Sequence, residues 1–141
     1  MEAHVMSFVV AGGPVRQRMW ILERHCAAVL ANRPDQLLYL EGDSTDGTRE
    51  YLESHTNVIR HDTNAPNFTR DGSEGEGRYS SAIMANLRNT WASEALKRWP
   101  QASHLWVVDS DVLPEVDELQ RRADRIGGAE VVRRRGAKQV Q

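Results

Sequence analysis

Short apolar runs alternate along the chain with longer stretches whose apolar residues recur every three or four positions. Ser7 to Ala11 (SFVVA) has the unbroken apolar character of a buried strand, and Gly12, Gly13 and Pro14 predict the turn that closes it. Met19, Leu22, Cys26 and Val29/Leu30 then repeat at helical spacing, with a stop expected near Asn32 ahead of Pro34. Gln36 to Leu40 (QLLYL) predicts a second buried strand. The turn cluster Gly42-Asp43-Ser44-Thr45-Asp46-Gly47-Thr48 leads into a short helix ending near Ser54, and Asn57 to His61 predicts a third strand.

Residues 62 to 79 lack periodicity and are rich in Asn, Gly, Asp and Glu, which predicts a loop. Ser80 to Trp99 predicts a long helix striped by Ile83, Leu87, Trp91, Ala95 and Trp99. His104 to Ser110 predicts a fourth strand, and Glu115 to Ile126 a polar helix stopped by Gly127-Gly128. Ala129 to Val132 reads as the start of a fifth strand that the following arginine run cuts short. Apolar strands alternating with helices predict an α/β domain over residues 1–128, a mostly parallel sheet with helices on both faces. Residues 129–141 read as a basic C-terminal tail, solvated or partly disordered.

Composition narrows the class. At 141 residues and 40% hydrophobic, the chain suits one soluble domain. Its longest apolar runs, Phe8 to Ala11 and Leu105 to Val108, are too short to cross a bilayer. No basic-then-apolar leader opens the sequence, and the single cysteine, Cys26, excludes an internal disulfide. Together these predict a cytoplasmic protein. Residues 1–120 carry a balance of −7 and residues 121–141 a balance of +5. Sixteen of the 18 basic residues are arginine, which reads as a compositional bias. The basic end permits a peripheral contact with anionic membrane, while nucleic acid is the less expected partner.

In parallel α/β sheets, ligands bind outside the carboxyl ends of the strands. The predicted ends are Ala11-Gly12-Gly13, Glu41-Gly42-Asp43, His61-Asp62 and Asp109-Ser110-Asp111. In an extended segment Asp109 and Asp111 project to the same side, so two carboxylates leave the sheet together. A divalent cation, Mn²⁺ or Mg²⁺, relieves their repulsion and completes its shell with phosphate oxygens. Chance or capping gives the same short pattern. The cluster from Glu41 to Thr48 reads as a turn and helix start capped by Ser44, Thr45 or Asp46. The same amides and carboxylates could also hold a ribose or base.

Leu40-Glu41-Gly42-Asp43-Ser44-Thr45-Asp46-Gly47-Thr48 resembles the nucleotide-binding turn of family 2 glycosyltransferases of the GT-A fold, which reads close to Asp-Asp-Gly-Ser-Thr-Asp-Gly-Thr. Arg88-Asn89 resembles the Ala-Arg-Asn element of that family, and Val107-Val108-Asp109-Ser110-Asp111 resembles its Asp-x-Asp motif. The three occur in the family's order and at similar spacings, over roughly residues 5 to 120. The resemblance implies a nucleotide-diphosphate sugar donor, bound with a divalent metal and transferred to the hydroxyl of an unknown acceptor. It implies that Ala11 and Gly12 approach the base through their backbone, and that Glu41 and Asp43 lie near base and ribose. Arg88 would contact the nucleotide or its phosphates, Asp109 the ribose and metal, and Asp111 the metal.

Two departures stand out. The paired aspartates are Glu41-Gly42 here, with Asp43 at the usual glycine position. Only 30 residues follow Asp111, where the family places its acceptor half and catalytic base. Glu115, Asp117 and Glu118 are expected on a solvated helix, so no catalytic base is assigned. The expectation is a donor-binding half; the alternatives are a truncated, non-catalytic nucleotide-sugar-binding domain and a nucleotidyltransferase of related fold. Arg18-Met19 fits the nucleotidyltransferase reading and Pro14 opposes it. Gly72 to Gly77 is an acidic loop rather than a phosphate loop, Cys26 is expected as inert core, and the five histidines show no ligand spacing. Trp91, Trp99 and Trp106 are expected to pack between the long helix and the sheet.

Overall fold

Eight elements follow one another as alternating strands and helices in a computed structural model that describes residues 7–64 and 81–125. They are β1 (Val9–Val15), α1 (Met19–Leu30), β2 (Gln36–Glu41), α2 (Thr48–His55), β3 (Asn57–Arg60), α3 (Ser81–Arg98), β4 (His104–Val107) and α4 (Glu118–Arg125). The four strands form one sheet in the order β3-β2-β1-β4, and every pairing is parallel. The coarse α/β expectation therefore holds. The predicted fifth strand, the basic tail, the acidic glycine segment and nearly all of the predicted 62–79 loop lie outside the described residues.

Both faces of the sheet are covered. Val9, Ala11 and Val15 of β1 pack with Leu22, Cys26 and Val29 of α1, Leu52 of α2 and Leu119 of α4. On the opposite face Val10, Leu38, Leu40, Leu105 and Val107 meet Leu87, Trp91, Ala92 and Ala95 of α3. This is the period of two in each strand meeting the longer period of each helix. Trp91 is fully buried, and its indole N–H donates to the Leu38 carbonyl at 2.7 Å. Trp106 faces the other layer, among the α1 and α2 side chains, which corrects the expectation that all three tryptophans lie beneath the long helix.

The first strand is longer than its sequence suggests. Gly12, Gly13 and Pro14 do not turn; they continue β1 to Val15, buried throughout. Gly12 and Gly13 adopt φ values of 142° and 147°, open to glycine and strained for other residues. A Cβ at Gly12 would lie 1.8 Å from the Leu38 carbonyl oxygen, so only glycine permits this approach of β1 to β2. The Gly12 carbonyl accepts the Val108 amide at 2.9 Å, and Pro14, two residues on, faces the same side. Pairing with β4 ends at Gly12–Val107, so the missing Pro14 N–H falls where β1 has already outrun its neighbour.

Candidate functional site

The strand order sends the chain from β1 outward through β2 to β3, then back across β1 to β4. The connections diverge between β1 and β4, and in parallel sheets that divergence opens a crevice at the carboxyl edge. Here β1 outlasts its pairing with β4 by three residues, Gly13 to Val15. Four loops rim the edge: 16–18, 42–47, 61–64 and 108–117.

Ala11 and Gly12 are not at this edge. Ala11 lies opposite Leu37 and Trp106, and Gly12 opposite Leu38 and Val107, both buried in mid-sheet. Their expected approach to a base is therefore corrected: the residues that leave the end of β1 are Arg16, Gln17 and Arg18. The cause is the Gly-Gly-Pro run, whose composition signals a turn while its backbone stays extended.

Glu41 is also corrected. Its side chain is 0% exposed, and both carboxylate oxygens are engaged. Oε1 accepts from Arg49 Nε at 2.6 Å, and Oε2 accepts the Ser44 amide at 3.0 Å. It holds the turn from within and cannot touch a ligand outside it. Arg49 continues to Asp62 Oδ1 at 3.0 Å, which also accepts the Asp43 amide at 2.8 Å. That amide, then Arg60 at 2.7 Å, hold the Asp62 carboxyl below the usual carboxylate range.

Asp43, at φ 61°, turns its carboxylate toward the end of β3. It accepts the Thr63 amide at 3.1 Å, the Thr63 hydroxyl at 2.9 Å and the Asn64 amide at 3.1 Å, and Arg16 lies 3.9 Å away. Asp43 thus clasps the 61–64 loop to the β2 end. Gly42 accounts for the departure from paired aspartates, since a Cβ there would stand 2.1 Å from the His61 carbonyl oxygen. No side chain fits at that position.

The rest of the 42–48 turn is tied to the loop after β1. Gln17 donates its amide to Ser44 Oγ at 3.1 Å, and its side chain donates to Thr45 Oγ1 and accepts the Thr45 amide. The Arg18 amide donates to Thr48 Oγ1 at 3.0 Å. Asp46 accepts the Met19 amide through one oxygen, and the Thr48 amide and hydroxyl through the other. Burial alone would raise its pKa, but these bonds, the Thr48 hydroxyl first, outweigh that and hold it below the ordinary value. Of the three capping candidates only Asp46 reaches helix-start amides, one on each of α1 and α2, while the N-cap position of α2 is Gly47.

At the β4 end, Arg88 of α3 donates to Asp109 Oδ1 at 2.8 Å. Two of the three sequence elements singled out above therefore meet at the carboxyl edge of the sheet. The strand closes at Val107, and Asp109 begins a turn in which the Val112 amide returns to the Asp109 carbonyl at 3.0 Å. The same-side argument for Asp109 and Asp111 required extended backbone and does not apply. Asp111 is exposed within that turn. Of the three residues expected on a solvated helix only Glu118 is on α4. Glu115 and Asp117 precede it, exposed, and Asp117 takes a positive φ of 69°, which corrects the expected helix start at Glu115.

His25 was missed by the sequence reading because an isolated histidine on an apolar helical stripe carries no spacing signal. It is fully buried on α1, its Nδ1 is 2.7 Å from the Val112 carbonyl oxygen, and Tyr39 meets it edge-on at 5.7 Å. Burial lowers its pKa, against the raising influence of the Val112 carbonyl, Asp111 and Asp109, and favours the neutral ring. Cys26 is buried beside it, and burial pushes its thiol up, as suits an inert core cysteine.

Asp109 and Asp111 are the residues expected to hold a cation; they share the turn after β4, Asp109 paired with Arg88 and Asp111 exposed. Among the described residues no group of three or more His, Cys, Asp or Glu gathers into a cage. A cation held here would take one or both of these carboxylates and complete its shell with phosphate oxygens and water, as Mg²⁺ and Mn²⁺ do. Among the same residues no helix is long and apolar enough to cross a membrane. A scan against protein-family models and searches of curated proteins and of solved structures gave no match to this chain.

Proposed function

We propose that this protein binds a nucleotide-diphosphate sugar at the carboxyl edge of its sheet, with Mn²⁺ or Mg²⁺, and transfers the sugar to an acceptor hydroxyl. The observation that carries this reading is the Arg88–Asp109 ion pair. It joins the Arg-Asn helix to the Asp-x-Asp strand end beside the β1–β4 divergence, where a parallel sheet binds its ligands. The finer GT-A assignment rests on the same residues, by resemblance.

In this reading Arg88 contacts a phosphate and Asp109 orients the ribose and metal. Asp111 supplies the second carboxylate, and Arg16 stands at the rim. Glu41 and Asp43 hold the loops rather than the base. A bound divalent cation would take up charge as the nucleoside diphosphate departs. The anomeric carbon exchanges its bond to the diphosphate oxygen for one to the acceptor oxygen, whose proton passes to a base. Titration of UDP- and GDP-sugars with and without Mn²⁺ tests the proposal. Metal-dependent binding that disappears in Asp111→Ala supports it; binding indifferent to metal or to Asp111→Ala overturns it. Release of free sugar or transfer to an acceptor distinguishes the enzyme from a binding domain.

A further inference from the structure

The structure assigns to His25 a positioning role for the candidate metal-binding turn, an inference that rests on the nucleotide-sugar reading for its functional meaning. His25 sits at 0% exposure on the face of α1 that otherwise presents Leu22, Cys26 and Val29 to the core. An apolar side chain would pack there without the desolvation cost of a polar ring. One ring nitrogen, Nε2, is buried with no hydrogen-bond partner among the described residues, so core packing alone gives no reason for a histidine.

The other nitrogen supplies the reason. A carbonyl oxygen only accepts, so the 2.7 Å contact fixes the proton on Nδ1 and directs it at Val112. Val112 is held at both ends, because its own amide returns to the Asp109 carbonyl at 3.0 Å. The short path Asp109-Ser110-Asp111-Val112 is therefore closed by one backbone bond and anchored to α1 by one imidazole. Arg88 secures the Asp109 side chain from the opposite layer. Downstream, Asn32 donates to the Glu115 carbonyl at 3.0 Å and accepts the Leu119 amide at 3.2 Å. Residues outside a metal's own ligand set fix the ligands in this way in many proteins.

His25→Leu keeps the volume and removes the donor, whereas His25→Asn can place an amide N–H near the Nδ1 position. Amide exchange in the absence of ligand is read by NMR at residues 109–113 and at core amides of β1 and β2. Mn²⁺ affinity is then measured in the presence of UDP or GDP. In His25→Leu, exchange at Val112 is expected to rise about tenfold while the core is unchanged. Mn²⁺ affinity is expected to fall about tenfold, with His25→Asn restoring both to within about threefold. Unchanged loop exchange in His25→Leu, or a His25→Asn variant as impaired as His25→Leu with its core intact, overturns the inference. If the wild type binds no Mn²⁺–nucleotide while the loop responds as described, the nucleotide reading fails and the positioning role stands. If wild type and His25→Leu bind Mn²⁺–nucleotide equally, the reading stands and the positioning role fails.

Discussion

The Asp46 carboxylate accepts the amide of Met19 at 3.0 Å, so a residue of the second crossover caps the helix of the first. A carboxylate at a helix N-terminus also meets the positive end of the helix dipole. Asp46→Ala is expected to cost about 1 kcal/mol of stability, read from the urea midpoint. The pH dependence has a definite sign. The folded-state pKa is depressed, so the stabilisation is complete above the unfolded value and is lost as pH falls through the folded one. Asp46→Asn keeps an acceptor but loses the charge, and its acid unfolding limb should flatten.

Glu41 and Arg49 form the inner support of the same edge. Glu41→Ala empties a buried site and leaves the Ser44 amide without its acceptor, while Arg49 is near enough to the surface to rehydrate. The expected loss is about 2–3 kcal/mol, measured by thermal or urea unfolding. An unaltered midpoint would show that the carboxylate does not support the turn.

Gly42→Asp would recreate the paired acidic pattern of the glycosyltransferase turn. The Cβ position lies 2.1 Å from the His61 carbonyl oxygen, and that backbone is itself fixed by the bond from the His61 amide to the Glu41 carbonyl. The substitution is expected to lower the melting temperature and to weaken, rather than improve, UDP or GDP binding. A gain in affinity with intact stability would contradict the geometry.

Under the proposed function, Arg88 separates stability from binding. Its ion pair with Asp109 is partly exposed, so Arg88→Ala is expected to cost less than about 1 kcal/mol of folding stability. Loss of a charged hydrogen bond to phosphate costs about 1.5–3 kcal/mol, which is a tenfold to hundredfold weaker donor dissociation constant. Calorimetric titration with a UDP- or GDP-sugar and Mn²⁺ checks both halves against the melting curve.

The order of elements was legible because each strand core is an apolar run and α3 carries a clean stripe from Leu87 to Ala95. The strand ends were not. Gly12-Gly13-Pro14 has the composition of a turn, and only the closeness of the Leu38 carbonyl shows why glycine serves inside a strand. Val108 extends the apolar run of β4, yet pairing has ended one residue earlier. For the candidate site, Arg88 and Asp109 were named and do meet. The inward use of Glu41 depends on Arg49, eight residues away across a turn, and the use of His25 depends on Val112, 87 residues away. Such pairings leave no local periodicity to read.

The bonds that join residues 17–19 to residues 44–48 have a kinetic consequence. Neither crossover loop can detach singly, because the donors of one are acceptors' partners in the other. Breathing at this rim is therefore an all-or-none event, in which the start of α1 and the start of α2 open together. Native-state hydrogen exchange at Gln17, Arg18, Met19 and Thr45 should then report one shared opening rate, a single cooperative hinge in place of two independent loops.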